Sequence, residues 1–185
     1  AAMAMLVTHI SAAAGAMVWM SMEWIRFGKP SALGAVTGMV AGLGTITPAS
    51  GFVGPGGALI IGILAGFTCF NATLYIKRVL KIDDSLDVFP VHGVGGALGT
   101  LMAGVFSATG LGVFSGYGFA DGISSMGGQL YVQFIGVIAT VVFTAVMTWV
   151  ILKVVGALLG LRVSEEEETQ GLDITMHEER GYDDL

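Results

Sequence analysis

Five apolar stretches, each near the roughly 20 residues that cross a bilayer, limit what this chain can fold into more than any other feature of its sequence. They run from about Ala2 to Trp24, Leu33 to Thr47, Gly57 to Ile76, Asp87 to Ser107 and Gln129 to Leu161. The second is short, Gly-rich and stopped by Pro48. The fifth exceeds 30 residues, longer than a perpendicular crossing needs, so it is expected to tilt or project beyond the hydrocarbon. Only 12% of the chain is charged, against about a quarter in a soluble domain. The expectation is an all-α polytopic membrane protein with about five transmembrane helices. Each is apolar around most of its circumference, so lipid and neighbouring helices are both its partners.

The basic residues orient these helices. Arg26 and Lys29 lie between the first two stretches, Lys77, Arg78 and Lys81 between the third and fourth, and Lys153 and Arg162 at the end of the fifth. The connections Pro48 to Gly56 and Ala108 to Gly128 carry no Lys or Arg. Such alternation predicts an outside N-terminus and a cytoplasmic C-terminus in a cell membrane. No basic region precedes the first stretch, so no signal peptide is read there.

The net charge of −6 is unevenly spread. Leu161 to Leu185 holds two basic and nine acidic residues, a net of −7, which leaves +1 for the rest. We therefore divide the chain into a membrane domain, residues 1–161, and an acidic cytoplasmic tail, residues 162–185. By composition the tail reads as a solvated terminus. The single Cys69 excludes an intrachain disulfide.

The run Asp83-Asp84-Ser85-Leu86-Asp87-Val88-Phe89-Pro90-Val91-His92-Gly93-Val94-Gly95-Gly96 is the most informative segment. Asp84 and Asp87 are spaced as a capping box at a helix start, and Pro90 fits a first turn, where a missing N–H is harmless. His92 would then lie roughly 8 to 12 Å inside the helix, near the middle of the hydrocarbon. Ionisable groups inside membranes usually face a bundle interior or a pathway; the plainer reading is a buried imidazole donating to a backbone carbonyl. Asp83, Asp84 and Asp87 also read as partners for Lys77, Arg78 and Lys81. Gly95, Gly99 and Ala103, and likewise Gly34, Gly38 and Gly42, form small-residue ridges for close helix packing. Met3, Met5, Met17, Met20 and Met22 suit packing or a subunit interface. His9 reads as structural, and His177 as solvated.

The same run resembles the helix that carries the second pore histidine of Amt ammonium transporters. Three further stretches agree with that family in order. Gly42 through Gly62, with Thr45-Ile46-Thr47-Pro48-Ala49-Ser50-Gly51-Phe52 at its centre, is similar to the hairpin between its eighth and ninth helices. Gly118-Phe119-Ala120-Asp121-Gly122 resembles the loop before its last helix, and Gly160-Leu161-Arg162-Val163 with Gln170-Gly171-Leu172-Asp173 its tail. Met176 to Tyr182 is similar to the family's end motif, with Glu178 in place of the usual glycine.

The resemblance implies helices seven to eleven of an eleven-helix fold, a homotrimer, and ammonium passing as ammonia. It makes His92 the second relay histidine, with Val88 one turn earlier at the exit and Thr37 and Thr47 facing the pore. For the two threonines, back-bonding to a helix carbonyl stands as the alternative. It also implies a tail (Arg162, Leu172, Asp173 and Tyr182) that docks on the cytoplasmic face and takes part in regulation by PII-type signalling proteins. The chemistry is intelligible on its own. An isolated small cation pays tens of kcal/mol to enter a medium of low dielectric, whereas ammonium can shed a proton and cross as ammonia. A desolvated imidazole stays neutral and can take or pass that proton. Two rival readings are an Rh-type ammonia channel and an ammonium sensor built on an Amt-like module. No metal-ligand spacing, nucleophile–base pair or phosphate loop suggests an enzyme or a cofactor, and the scattered basic residues do not suggest nucleic-acid binding.

Overall fold

A left-handed glycine sets the first corner. Gly28, with φ of 80°, ends helix α1 (Ala2–Phe27), and its N–H donates to the carbonyl of Trp24. Ser31 then caps α2 (Ala32–Ile46), its hydroxyl accepting from the N–H of Gly34, as short polar side chains do at helix starts. Pro55 opens α3 (Pro55–Leu74) in the first turn, where its missing N–H costs nothing. Two π-turns follow, π1 (Tyr75–Val79) and π2 (Phe89–Val94). The second runs directly into α4 (Gly95–Phe106), and α5 (Met126–Leu158) is the longest element. The tail adds α6 (Glu165–Gln170) and α7 (Leu172–His177). This is a computed structural model that describes residues 1–111 and 116–180.

The five expected apolar helices are present, and the described residues contain no strand. Four elements are long and apolar enough to cross a membrane: Ala2–Phe27, Pro55–Val79, Phe89–Phe106 and Met126–Leu158. At 15 residues, α2 is shorter than such a crossing. Its rise of about 22 Å falls short of a hydrocarbon core of about 30 Å. The 33 residues of α5 rise about 50 Å, and none of its most apolar window is buried within the chain. That exposure suits a helix solvated by lipid.

The chain divides into two compact units, Ala1–Ile138 and Ala139–Leu185. In the first, α1 packs against both α2 and α3, and α4 packs against α2 and α3 in turn. Lipid tails are as apolar as leucine, so burial of apolar surface does not drive this association; close contact and interhelical hydrogen bonds do. The glycines supply the contact. A Cβ on Gly42 would overlap the carbonyl of Ser11 on α1, and one on Gly99 would overlap the carbonyl of Thr45 on α2. The buried Ser11 hydroxyl donates to the carbonyl of Gly42 at 2.9 Å. Two cores result. One gathers Val7, Ile46, Val53, Ala58, Ile61 and Ala103; the other gathers Trp19, Ala41, Cys69, Phe70 and Val91.

The second unit holds the remainder of α5 and the tail. Ser164 and Glu167 form a reciprocal capping box: the Ser164 hydroxyl accepts from the Glu167 N–H, and the Glu167 carboxylate accepts from the Ser164 N–H at 2.9 Å. Arg162 donates to both carboxylate oxygens of Glu168 at 2.9 Å. Glu178 ends α7 in the left-handed region, with φ of 54°, a conformation glycine adopts most cheaply. The hydrogen bonds from Ser164 hold the Glu167 carboxyl below its ordinary value of 4.5. A carboxyl depressed in the folded state stabilises α6 above its ordinary value, and that contribution is lost as pH falls through the folded one. We therefore expect the Ser164 amide resonance to keep its hydrogen-bonded shift at neutral pH and lose it below pH 4.5. An amide that ignores pH across that window would show the box does not persist in solution.

Candidate functional site

The site begins with how π2 is started. Asp84 accepts two backbone hydrogen bonds, from the Val88 N–H at 2.9 Å and the Phe89 N–H at 2.8 Å. Both carboxylate oxygens are thereby spent on donors that a helix start leaves without partners. Asp87 does not complete a capping box. It stands at φ of 56°, one of three described non-glycine residues in the left-handed region, and its Oδ1 pairs with Lys77 Nζ of π1 at 2.7 Å. The sequence spacing suggested a reciprocal cap. The left-handed turn at Asp87 instead directs its carboxylate to the preceding helix.

Because the helical backbone begins at Val88, His92 lies four residues in, about 6 Å along the axis. That is shallower than the 8 to 12 Å expected, and it puts His92 in the first third of the Phe89–Phe106 span rather than its middle. The reason is Pro90: it needs the first turn, so the Asp83–Asp87 segment stays outside the helix. Pro90 and Val91 are buried, while Val88 and His92 are exposed along one side of the unit. Within this chain the imidazole is exposed. It lies beside α2 at Gly44, where an added Cβ would come 3.7 Å from His92 Nδ1.

Thr37 and Thr47 lie on α2 and at its end, seven residues before and three after Gly44. Each hydroxyl donates to the carbonyl four residues earlier, Thr37 to Leu33 at 2.9 Å and Thr47 to Leu43 at 2.7 Å. Back-bonding, the alternative raised for them, is thus present in both. It leaves their oxygen lone pairs free to accept. Thr37 and Asp87 share the lining of a cavity of about 170 Å³ walled by Trp19, Phe27 and Phe70. Thr47, Val88 and His92 do not line it.

Sequence reasoning missed two residues here. Glu23 accepts from the Ser31 N–H at 2.7 Å and from the Ser31 hydroxyl at 3.1 Å, tying the end of α1 to the start of α2. Its carboxylate occupies the space a Cβ on Gly34 would need. An acidic residue eight positions before a Ser N-cap was the available signal. Thr45 is fully buried, and a Cβ on Gly95 would sit 2.8 Å from its hydroxyl and 3.2 Å from Cys69 Sγ. No local pattern announces that convergence of three helices.

In the tail, Arg162 is engaged with Glu168 as described, Leu172 opens α7 and Asp173 lies in its first turn. Tyr182 lies outside the described residues. His9 Nδ1 donates to the Met5 carbonyl, 2.9 Å away on its own helix, in keeping with a structural role. Among the described residues, no three His, Cys, Asp or Glu side chains converge as metal ligands.

Comparison with known proteins places this arrangement. Residues 1–182 match the model of the Ammonium Transporter Family. The chain is 46% identical over 184 residues to a putative ammonium transporter of Methanothermobacter thermautotrophicus, covering 98% of this chain and 44% of the relative. It is 44% identical to an ammonium transporter of Bacillus subtilis, covering 96% of this chain and 43% of the relative. Among solved structures, a sensor Amt protein superposes with a TM-score of 0.83 at 30% identity, over 95% of this chain and 42% of the other. Mep2 of Saccharomyces cerevisiae superposes with a TM-score of 0.74 at 32% identity, over 89% of this chain and 37% of the other. The chain thus spans less than half the length of these relatives. Motif order, helix packing and similarity along almost the whole chain agree: this multi-pass membrane chain belongs to the ammonium transporter family.

Proposed function

We propose that the full-length protein conducts ammonium across the cell membrane, releasing a proton so that ammonia crosses a narrow pore. The observation that carries this reading is the position of His92: an imidazole on a transmembrane segment, beside Gly44 of α2 and uncovered by the rest of its unit. His92 would take or pass the proton, and the charge that cannot enter the hydrocarbon is thereby shed. Val88 lies one turn toward the exit. Thr37 and Thr47 offer acceptor lone pairs to ammonia's N–H groups. Potassium and sodium have no proton to give up, so the same apolar walls exclude them. A homotrimer in the cell membrane is the expected assembly.

Uptake of radiolabelled methylammonium by cells lacking their own ammonium transporters tests the reading. Uptake that depends on the full-length protein, and that ammonium but not potassium suppresses, is expected; no uptake above control cells contradicts it. The likeness to a structure named as a sensor favours a second reading, in which ammonium binding is reported to a partner. Ammonium-dependent binding without flux would select the sensor. An Rh-type channel would conduct ammonia with no accompanying charge.

The sidedness follows from the basic loops. A cysteine placed at Ser50 should react with an impermeant thiol reagent added outside, and one at Ser164 should not; the reverse pattern would overturn the topology. We further assign the tail, with Arg162, Leu172, Asp173 and Tyr182, a regulatory role toward a PII-type protein. Deleting Leu172 to Leu185 should leave membrane insertion intact and change transport or PII binding. Unaltered transport and PII binding would return the segment to a solvated terminus.

A further inference from the structure

We propose that the Lys77–Asp87 ion pair is the positioning element that aims His92, by pinning the π-turn on which the imidazole rides; the inference rests on the pore reading given above. One end of this turn is fixed by packing. Gly95, Gly99 and Ala103 are buried, and Gly99 lies directly against the carbonyl of Thr45. The α4 face therefore cannot rotate against α2 without a clash. Between that face and Val88 lies π2. A π-turn carries one residue more than an α-turn, and one residue corresponds to about 100° of rotation at 3.6 residues per turn. With the glycine face locked, π2 decides which way Val88 and His92 point.

The other end needs its own anchor, because a π-turn is poorly populated unless its surroundings hold it. Asp84 clamps the Val88 and Phe89 N–H groups. Asp87 adopts a left-handed conformation at the junction, with φ of 56°, a region uncommon for non-glycine residues but one in which aspartate is enriched. Its one observed ion-pair partner among the described residues is Lys77, itself on π1, at 2.7 Å. The pair thus joins two irregular turns, one ending α3 and one opening the His92 helix. The Asp87 side chain is 17% exposed and that of Lys77 is 37% exposed, so the contact is partly shielded from water. Asparagine, like aspartate, tolerates the left-handed backbone, which lets charge be removed without removing the turn.

The test uses the full-length protein, with variants Lys77→Gln, Asp87→Asn, the double substitution and the conservative Lys77→Arg. Methylammonium uptake per folded molecule should show Vmax about tenfold lower in either single charge variant, with KM unchanged. The double variant should be no worse than either single one, because both remove the same contact, and Lys77→Arg should restore most of Vmax. Unchanged Vmax in the single variants, or losses that multiply in the double, would overturn the proposal. Lys77 is partly exposed, so K77Q decides by itself if D87N fails to fold. A second readout does not depend on transport. With His92→Cys as reporter, the rate of modification by a small methanethiosulfonate should change about tenfold when Lys77→Gln is added. An unchanged rate overturns the positioning role even in a protein that shows no uptake, whereas absent uptake with a changed rate removes only the pore reading.

Discussion

Replacing Gly99 with valine is expected to remove most of the correctly folded protein. The α4 backbone at Gly99 lies so close to α2 that an added Cβ would coincide with the Thr45 carbonyl, with its carbonyl carbon 2.7 Å away and Pro48 Cγ at 3.1 Å. Two of these obstacles are backbone, so no side chain can turn aside to make room. Forcing extra carbons into a packed interior costs about 1–3 kcal/mol when flexible neighbours yield. Here the helices must separate, and in lipid no hydrophobic drive rejoins them, because the acyl chains solvate the parted faces equally well. Thr45 is fully buried beside the same contact, so parting α2 from α4 also disturbs the setting of its hydroxyl. A suitable comparison is Gly51→Ala in the loop after α2, where an added Cβ meets nothing within 4 Å. Size-exclusion profiles and thermal melting of the two variants check this. G51A should behave as the parent, and G99V should aggregate or melt far earlier. A G99V protein with the parent's melting temperature would mean that α4 does not hold this register against α2.

Much of this fold was legible in the sequence because lipid leaves few choices. Apolar length fixed where helices run, and the observed ends fall within about three residues of those read from the apolar runs, apart from the start of the fourth, where Phe89–Val94 forms a π-turn before α4 begins at Gly95. Pro90 announced a helix start through a backbone rule that needs no tertiary information, and Gly28, Ser31 and Pro55 obey rules of the same kind in the structure. The ridge Gly95, Gly99, Ala103 announced a close contact, though not its partner; that Thr45 faces it depends on how three helices cross. The site was less legible for the same reason. His92 could be singled out as an ionisable group in an apolar run. Its depth could not, because that depends on Asp84 spending both oxygens on Val88 and Phe89 rather than sharing the cap with Asp87. That Asp83, Asp84 and Asp87 would partner Lys77, Arg78 and Lys81 was readable from their charges; that the contact made is Lys77 with Asp87 depends on the irregular turns at Tyr75–Val79 and before Phe89, which sequence periodicity does not reveal. In the tail the Ser164-x-x-Glu167 spacing was a readable capping box, masked by the acidic run that made the segment look merely solvated.

The central claim is that His92 carries conduction. In this chain the imidazole is exposed on its unit, beside Gly44, while its neighbours Pro90 and Val91 are buried. Truncating a side chain that buries little should cost little stability. A group that transfers protons contributes about 10²- to 10⁴-fold to the rate of the step it serves. The decisive measurement is therefore methylammonium uptake by His92→Ala in the full-length protein, normalised to folded protein and paired with its melting temperature. We predict a fall in uptake of about a hundredfold or more, with assembly and melting unchanged. Uptake at the parent's rate, with potassium still excluded, would contradict the account.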